Sequence, residues 1–161
     1  MQNRGAMTIR RIRDSDLDQA QAIHRKAFVR QSRSREWLEC NFRAWPRILS
    51  YVAVINEVCV GYIMWNQRSG FREQVVLELE QVAVQKAFRG QGIGRRLIRE
   101  SLAEVRAELS RRNATLKHIL VTTRADNHAQ HLYRSALGAE TEAVISALYS
   151  ADEAIMIARH V

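Results

Sequence analysis

Apolar residues recur along the chain at two spacings, and each change of spacing marks a new element. Residues 7–13 alternate as a strand does. Leu17, Ala20, Ile23, His24 and Ala27 then return at helical spacing, behind Asp14-Ser15-Asp16, whose side-chain oxygens suit a helix start. A second helix is expected from about Ser34 to Arg43, with Trp37, Leu38 and Phe42 near one side. Trp45-Pro46 should end it, because the residue before a proline avoids the helical region. Residues 51–55 and 58–65 are β-rich, and the short polar pair Asn56-Glu57 between them predicts a hairpin. A loop at 67–72 leads to a strand from about Gln74. Ile93, Leu97, Ile98, Leu102, Val105 and Leu109 then fall on one face of a long helix, with Arg95, Arg96, Arg99, Glu100, Glu104 and Glu108 on the rest. Residues 110–113 read as its end and 117–123 as a strand. A short helix follows, which Asp126 or Asn127 can cap and Gly138 can stop. Residues 141–148 and 153–158 are expected to be the last two strands, paired with each other.

The junction between the strand near Leu79 and the long helix stands out. It reads Arg89-Gly90-Gln91-Gly92-Ile93-Gly94-Arg95-Arg96. A helix N-terminus presents unpaired N–H groups and about half a positive charge. Glycines let a phosphate approach those groups closely. Arg89, Arg95 and Arg96 add full charges, so the junction reads as an anion cradle, best suited to a pyrophosphate. Two other phosphate loops are excluded. A dinucleotide fingerprint needs a third glycine where Leu97 stands. A P-loop needs Gly-Lys followed by Ser or Thr, which the chain lacks.

With its strand before and helix after, Arg89-Gly90-Gln91-Gly92-Ile93-Gly94 resembles the R/Q-x-x-G-x-G/A signature of the GNAT superfamily of acetyl-CoA-dependent N-acetyltransferases. A second stretch, Asn127-His128-Ala129-Gln130-His131-Leu132-Tyr133, resembles the family's downstream segment, in which an asparagine, an alanine and a Leu-Tyr pair precede a small-residue turn. Ala139 departs from it, since many members carry an aromatic after the glycine. The resemblance implies an α/β (α+β) fold: a central mixed, mostly antiparallel sheet of about seven strands flanked by about four helices. It also implies that the first two helices lie over the acceptor site. It covers nearly all of a single domain at 7–161, preceded by a loose tail at 1–6.

Composition agrees. A chain of 161 residues suffices for one domain with a core, and 47% apolar residues is ordinary for a globular protein. Lys and Arg number 25 against 17 Asp and Glu, a net charge of +8 that favours anionic partners. The charge is scattered, which argues against nucleic acid and membranes as partners. No run of about 18 apolar residues is present. Cys40 and Cys59 lack metal-ligand spacing, so no metal and a reduced, cytoplasmic setting are expected.

The resemblance implies direct transfer of an acetyl group from acetyl-CoA, the co-substrate, to a primary amine in a ternary complex. The acceptor class stays open among protein N-termini, lysines and small amines. On this reading Val82, Ala83 and Val84 hold the cofactor arm through their backbone, and one N–H, at Val82, polarises the acetyl carbonyl. Gly90, Gln91, Gly92, Ile93 and Gly94 with Arg89, Arg95 and Arg96 hold the pyrophosphate. Asn127 bonds the arm or caps its helix, and Tyr133 protonates the leaving thiolate. Glu78 and Glu80 are the candidate bases. A strand places them on one face with Val82 and Val84, and two adjacent carboxylates would raise at least one pKa. Trp37, Trp45, Tyr51, Trp65 and Phe71 could line an acceptor pocket or be core. The last strands are expected to pair across a homodimer. The alternatives are a non-catalytic acyl-CoA sensor and a basic nucleic-acid-binding domain.

Overall fold

A computed structural model describes residues 5–161; residues 1–4, within the expected tail, lie outside the described residues. The strands are β1 (Thr8–Arg11), β2 (Ile48–Ile55), β3 (Val58–Gln67), β4 (Gln74–Val84), β5 (Thr115–Arg124), β6 (Glu140–Ile145) and β7 (Glu153–Arg159). The helices are α1 (Leu17–Ala27), α2 (Ser34–Arg43), α3 (Ile93–Arg111) and α4 (Gln130–Leu137). The strands form one mixed sheet in the order β1-β2-β3-β4-β5-β7-β6, the fold class expected. No described helix is long and apolar enough to cross a membrane. The chain divides into two compact units. One holds the chain up to Met64 with Gln81–Ala103; the other holds Trp65–Glu80 with Glu104–Val161.

In the first unit, β1 pairs antiparallel with β2, from Thr8↔Val54 to Arg11↔Tyr51. The Asp16 carboxylate fixes the entry to α1. It accepts both guanidinium N–H groups of Arg10, at 2.7 and 2.9 Å, and the backbone N–H of Arg13 at 2.7 Å. Leu17, Ala20 and Ile23 then pack into a cluster with Leu38, Ile48, Val52, Tyr62, Met64 and Ala83. The hairpin turn is the two-residue one expected. Asn56 (φ 48°) and Glu57 (φ 65°) are both left-handed, which matches the twist of the strands it joins. The six residues predicted to form the apolar face of α3 are all buried.

In the second unit, β4 pairs parallel with β5, with a register shift between Val75 and Val76, and reaches Glu78↔Leu120. β5 pairs antiparallel with β7, and β7 with β6. The sixth strand stops at Ile145, short of the predicted 148. The Asp152 carboxylate accepts the Ala147 N–H at 2.9 Å, and Ala147 sits at φ 49°, so the chain turns there instead of extending the ladder. Helix α4 ends as expected on Gly138, whose φ of 68° a glycine takes without penalty.

One glycine fixes how closely β3 approaches β4. A Cβ at Gly61 would lie 2.8 Å from the Ala83 carbonyl oxygen and 3.1 Å from Leu97 Cδ1. A backbone oxygen cannot step aside as a side chain can. Gly61→Ala is therefore expected to destabilise the protein by about 1–3 kcal/mol, read as a lower urea midpoint at unchanged slope.

Candidate functional site

The junction after β4 has the backbone that its glycines foretold. The strand ends at Val84, a short turn runs through Lys86–Phe88, and Gly90 (φ 74°) and Gly92 (φ 77°) are both left-handed. The Arg96 N–H bonds the Gly92 carbonyl at 3.1 Å, so Gly92 caps α3 and the N–H groups of the first turn precede that bond. A Cβ at Gly90 or Gly92 would meet nothing within 4 Å. The glycines are thus required for backbone conformation, at about 1 kcal/mol each for a substitute. The turn is braced from inside. Gln91 Nε2 donates to the Ala87 carbonyl at 3.4 Å, and Arg89 Nε donates to the Val84 carbonyl at 2.9 Å.

The three predicted arginines are therefore not alike. Arg89 folds back on the strand end. Arg96 bonds Glu100 at 2.6 Å and the Met7 carbonyl at 3.2 Å, so a carboxylate already faces its charge. Arg95 is half-buried in the first turn of α3. Of the predicted backbone group, Val82 and Val84 are half-buried and Ala83 is buried. The Val84 carbonyl already has the Arg89 partner, and the ladder to β3 continues beyond it through Gln85 N–H to Val60 at 2.8 Å. In the same unit a cavity of about 550 Å³ runs between α1 and the end of β4. Its charged lining is Lys26, Lys86 and Arg89, with no acid.

The burial of β4 alternates strictly. Val75, Leu77, Leu79, Gln81 and Ala83 are buried, while Glu78, Glu80, Val82 and Val84 are half-buried on the other parity. Glu78 and Glu80 thus share the expected face. The expected mutual repulsion meets a cation, because Arg68 Nη1 lies 2.6 Å from Glu78 Oε2. Strand pairing supplies it: Arg68 follows β3, and its backbone N–H bonds the Val76 carbonyl at 3.0 Å.

In the second unit, the expected Asn127 cap is not formed: the N-cap of α4 is Ala129, with no side-chain cap bond, and Asn127 instead braces the turn before the helix. Its Oδ1 accepts the Ala129 N–H at 2.9 Å, and its Nδ2 donates to Thr123 Oγ1 at 3.1 Å. Tyr133 is buried on α4, and burial pushes its phenol up to about 12, so it stays a protonated donor at neutral pH. Of the candidate aromatics, Trp45 and Tyr51 pack edge to face with ring centroids 6.4 Å apart. Tyr51 and Trp65 are core, Phe71 is exposed, and Trp45 lies under the Arg11 guanidinium at 3.4 Å.

Sequence reasoning missed the polar node of the first unit. Gln81 Oε1 accepts from Trp37 Nε1 and from Tyr62 Oη, each at 3.0 Å, and Gln81 Nε2 donates to Gln31 Oε1 at 3.1 Å. His24 joins through Gln31 at 2.9 Å and Ser34 at 2.8 Å. A signal was present: a glutamine stands on the buried parity of β4, between Leu79 and Ala83.

The model of the acetyltransferase (GNAT) family matches residues 12–139. No curated protein matches by sequence. In shape the chain is similar to the ribosomal-protein-S18-alanine N-acetyltransferase of Escherichia coli, with a TM-score of 0.74 and 23% identity over 96% of this chain and 94% of that one. It is also similar to NAA60 of Arabidopsis thaliana in complex with a bisubstrate analogue, at TM-score 0.77 and 19% identity over 94% and 97%. A third likeness is to an aminoglycoside 6'-N-acetyltransferase complexed with coenzyme A, at 0.74 and 16% over 96% and 97%. At these identities the likenesses establish the fold. The glycine turn can be tested alone. Gly92→Glu puts strain and a negative charge at the helix start and should weaken coenzyme A binding about 100-fold or more by calorimetry; unchanged affinity would remove the cradle assignment.

Proposed function

The chain belongs to the acetyltransferase (GNAT) family, and on that premise we propose that it passes the acetyl group of acetyl-CoA directly to a primary amine in a ternary complex. The observation that carries this reading is the pair of left-handed glycines at the start of α3, with open space where their side chains would stand. Solved structures of similar fold hold coenzyme A or acetyl-CoA, which supports acetyl-CoA as the co-substrate.

The chemistry sets what the residues must do. A lysine-type amine has a pKa of about 10.4, so roughly one molecule in a few thousand is neutral at pH 7. Recovering that fraction is worth about 4–5 kcal/mol. A carboxylate, acting directly or through water, takes the proton, and Glu78 and Glu80 are the groups assigned to that work. Acting directly, Glu78 must first give up its Arg68 partner; acting through water, it need not. The Val82 N–H receives the charge that develops on the thioester oxygen. The turn at Gly90–Gly94 holds the pyrophosphate, and Tyr133, protonated by virtue of its burial, donates to the departing thiolate.

The acceptor classes are those that similar structures name for themselves: ribosomal protein S18 alanine, a Gag peptide bound to the NatC complex, and aminoglycosides. An acetyl-CoA turnover screen against peptides with free N-termini, lysine peptides, polyamines and aminoglycosides tests activity and acceptor together. Thiol release with none of them would sink the reading. Tyr133→Phe should lower kcat about 100-fold while acetyl-CoA affinity stays within about twofold. Because the phenol is pushed up to about 12, it remains an acid across the working range. An alkaline fall in kcat centred below about 10 therefore belongs to another group. Glu78→Gln and Glu80→Gln, singly and together, should erase the acidic limb of the pH–rate profile in whichever variant removes the base; an unchanged limb in all three excludes both.

A further inference from the structure

Gln81 has a defined orientation, and its partners reveal why. An indole N–H can only donate, so the Gln81 atom 3.0 Å from Trp37 Nε1 is its carbonyl oxygen. Burial pushes the Tyr62 phenol upward, so it too is a donor to that oxygen. The Gln81 amide nitrogen must then face an acceptor, which is Gln31 Oε1 at 3.1 Å. The same Gln31 oxygen lies 2.9 Å from His24 Nε2, so that nitrogen carries the proton. Burial holds His24 below the ordinary imidazole value, which leaves Nδ1 to accept from the Ser34 hydroxyl at 2.8 Å. Every donor in the chain of bonds is determined by the one before it.

The node joins elements that differ in rigidity. Gln81 lies within β4, where the ladder holds the backbone. Gln31 lies in the irregular connection 28–33 between α1 and α2, where Arg33 is left-handed (φ 55°) and Val29 is exposed. The backbone of that connection is tied by Phe28 N–H to His24, Gln31 N–H to Phe28 and, at its end, Trp37 N–H to Arg33. Its tie to the strand is the Gln31–Gln81 bond. Residue 82, next in the strand, is the one assigned to the acetyl carbonyl. A reacting amine must come within about 3–3.5 Å of the carbonyl carbon, so an element held one side-chain length from residue 81 borders the path of the amine.

We propose that Gln81 is a positioning residue for the amine acceptor: through Gln31 it holds the connection 28–33 as a wall of the amine site, without touching acetyl-CoA. This rests on the acetyltransferase reading above. It predicts a separation that a purely structural role does not give, namely a raised KM for the amine with an unchanged affinity for acetyl-CoA.

The experiment uses the full chain and the best amine of the screen, with acetyl-CoA affinity measured by calorimetry. Gln31→Ala removes the tie at an exposed position, so the fold should be kept, with a lowered thermal midpoint because the buried Gln81 and His24 donors lose their acceptor. Its amine KM should rise about tenfold. Gln81→Leu should raise it as much at some cost in stability, and the double variant should add nothing further, as residues acting through one bond require. Gln81→Glu sets an oxygen against Gln31 Oε1 and should also disturb the His24 ring, read as a shift of its Nε2 resonance. Unchanged amine KM in Gln31→Ala, or a loss of acetyl-CoA affinity that accounts for the whole effect, overturns the proposal while leaving the acetyltransferase reading intact. Acetyl-CoA binding with no amine turned over by the wild type overturns both.

Discussion

A β-strand offers two faces and no third, and β4 uses both. Its buried parity must be apolar or fully hydrogen-bonded, because an unsatisfied buried polar group costs about 1–3 kcal/mol. Leu77, Leu79 and Ala83 meet the first condition, and Gln81 meets the second with three bonds to Trp37, Tyr62 and Gln31. The half-buried parity carries Glu78, Glu80, Val82 and Val84, the residues to which proton removal and cofactor contact are assigned. Strand alternation therefore separates the residues given roles in the proposed reaction from the glutamine that holds the connection 28–33.

The other constraint is local. A strand that passes into a helix must reverse its backbone, and here two left-handed residues do so at Gly90 and Gly92. Because the reversal is made by glycine, the helix start carries no side chain where the backbone turns. The same feature that breaks the strand leaves N–H groups and positive potential facing outward. The internal brace from Arg89 to the Val84 carbonyl keeps that reversal in register with the strand end. One of the three predicted cations thus serves the loop's own geometry.

These differences explain what could be read from the chain. The glycine turn, the buried stripe of α3, the two-residue hairpin turn and the Gly138 stop were legible because each is encoded within a few residues by backbone preference or periodicity. The parity of Glu78 and Glu80 was legible for the same reason. The Arg68 partner of Glu78 was not, since it depends on how β3 pairs with β4. The end of β6 was missed by three residues because an aspartate beyond the turn, Asp152, takes the N–H that would have continued the ladder. The Gln81 node spans Gln31, Trp37 and Tyr62, partners far apart in sequence, and periodicity marks only that a polar residue stands where an apolar one is expected.

Burial also sorts the candidate acid from the candidate bases. A group that donates to a leaving thiolate must still hold its proton at neutral pH, and a group that accepts from an ammonium must not. Removing a phenol from water penalises its charged form, so the buried Tyr133 is kept as a donor, pushed up to about 12. Glu78 is half-buried, and its Oε2 lies 2.6 Å from the Arg68 guanidinium. The same arginine competes for the lone pairs the base would use. A guanidinium at 2.6 Å occupies an oxygen that a direct base would use, whereas an amine reached through water would let the carboxylate act without releasing its partner. In the proposed reaction, proton removal through such a water would reconcile an ion-paired glutamate with general-base work.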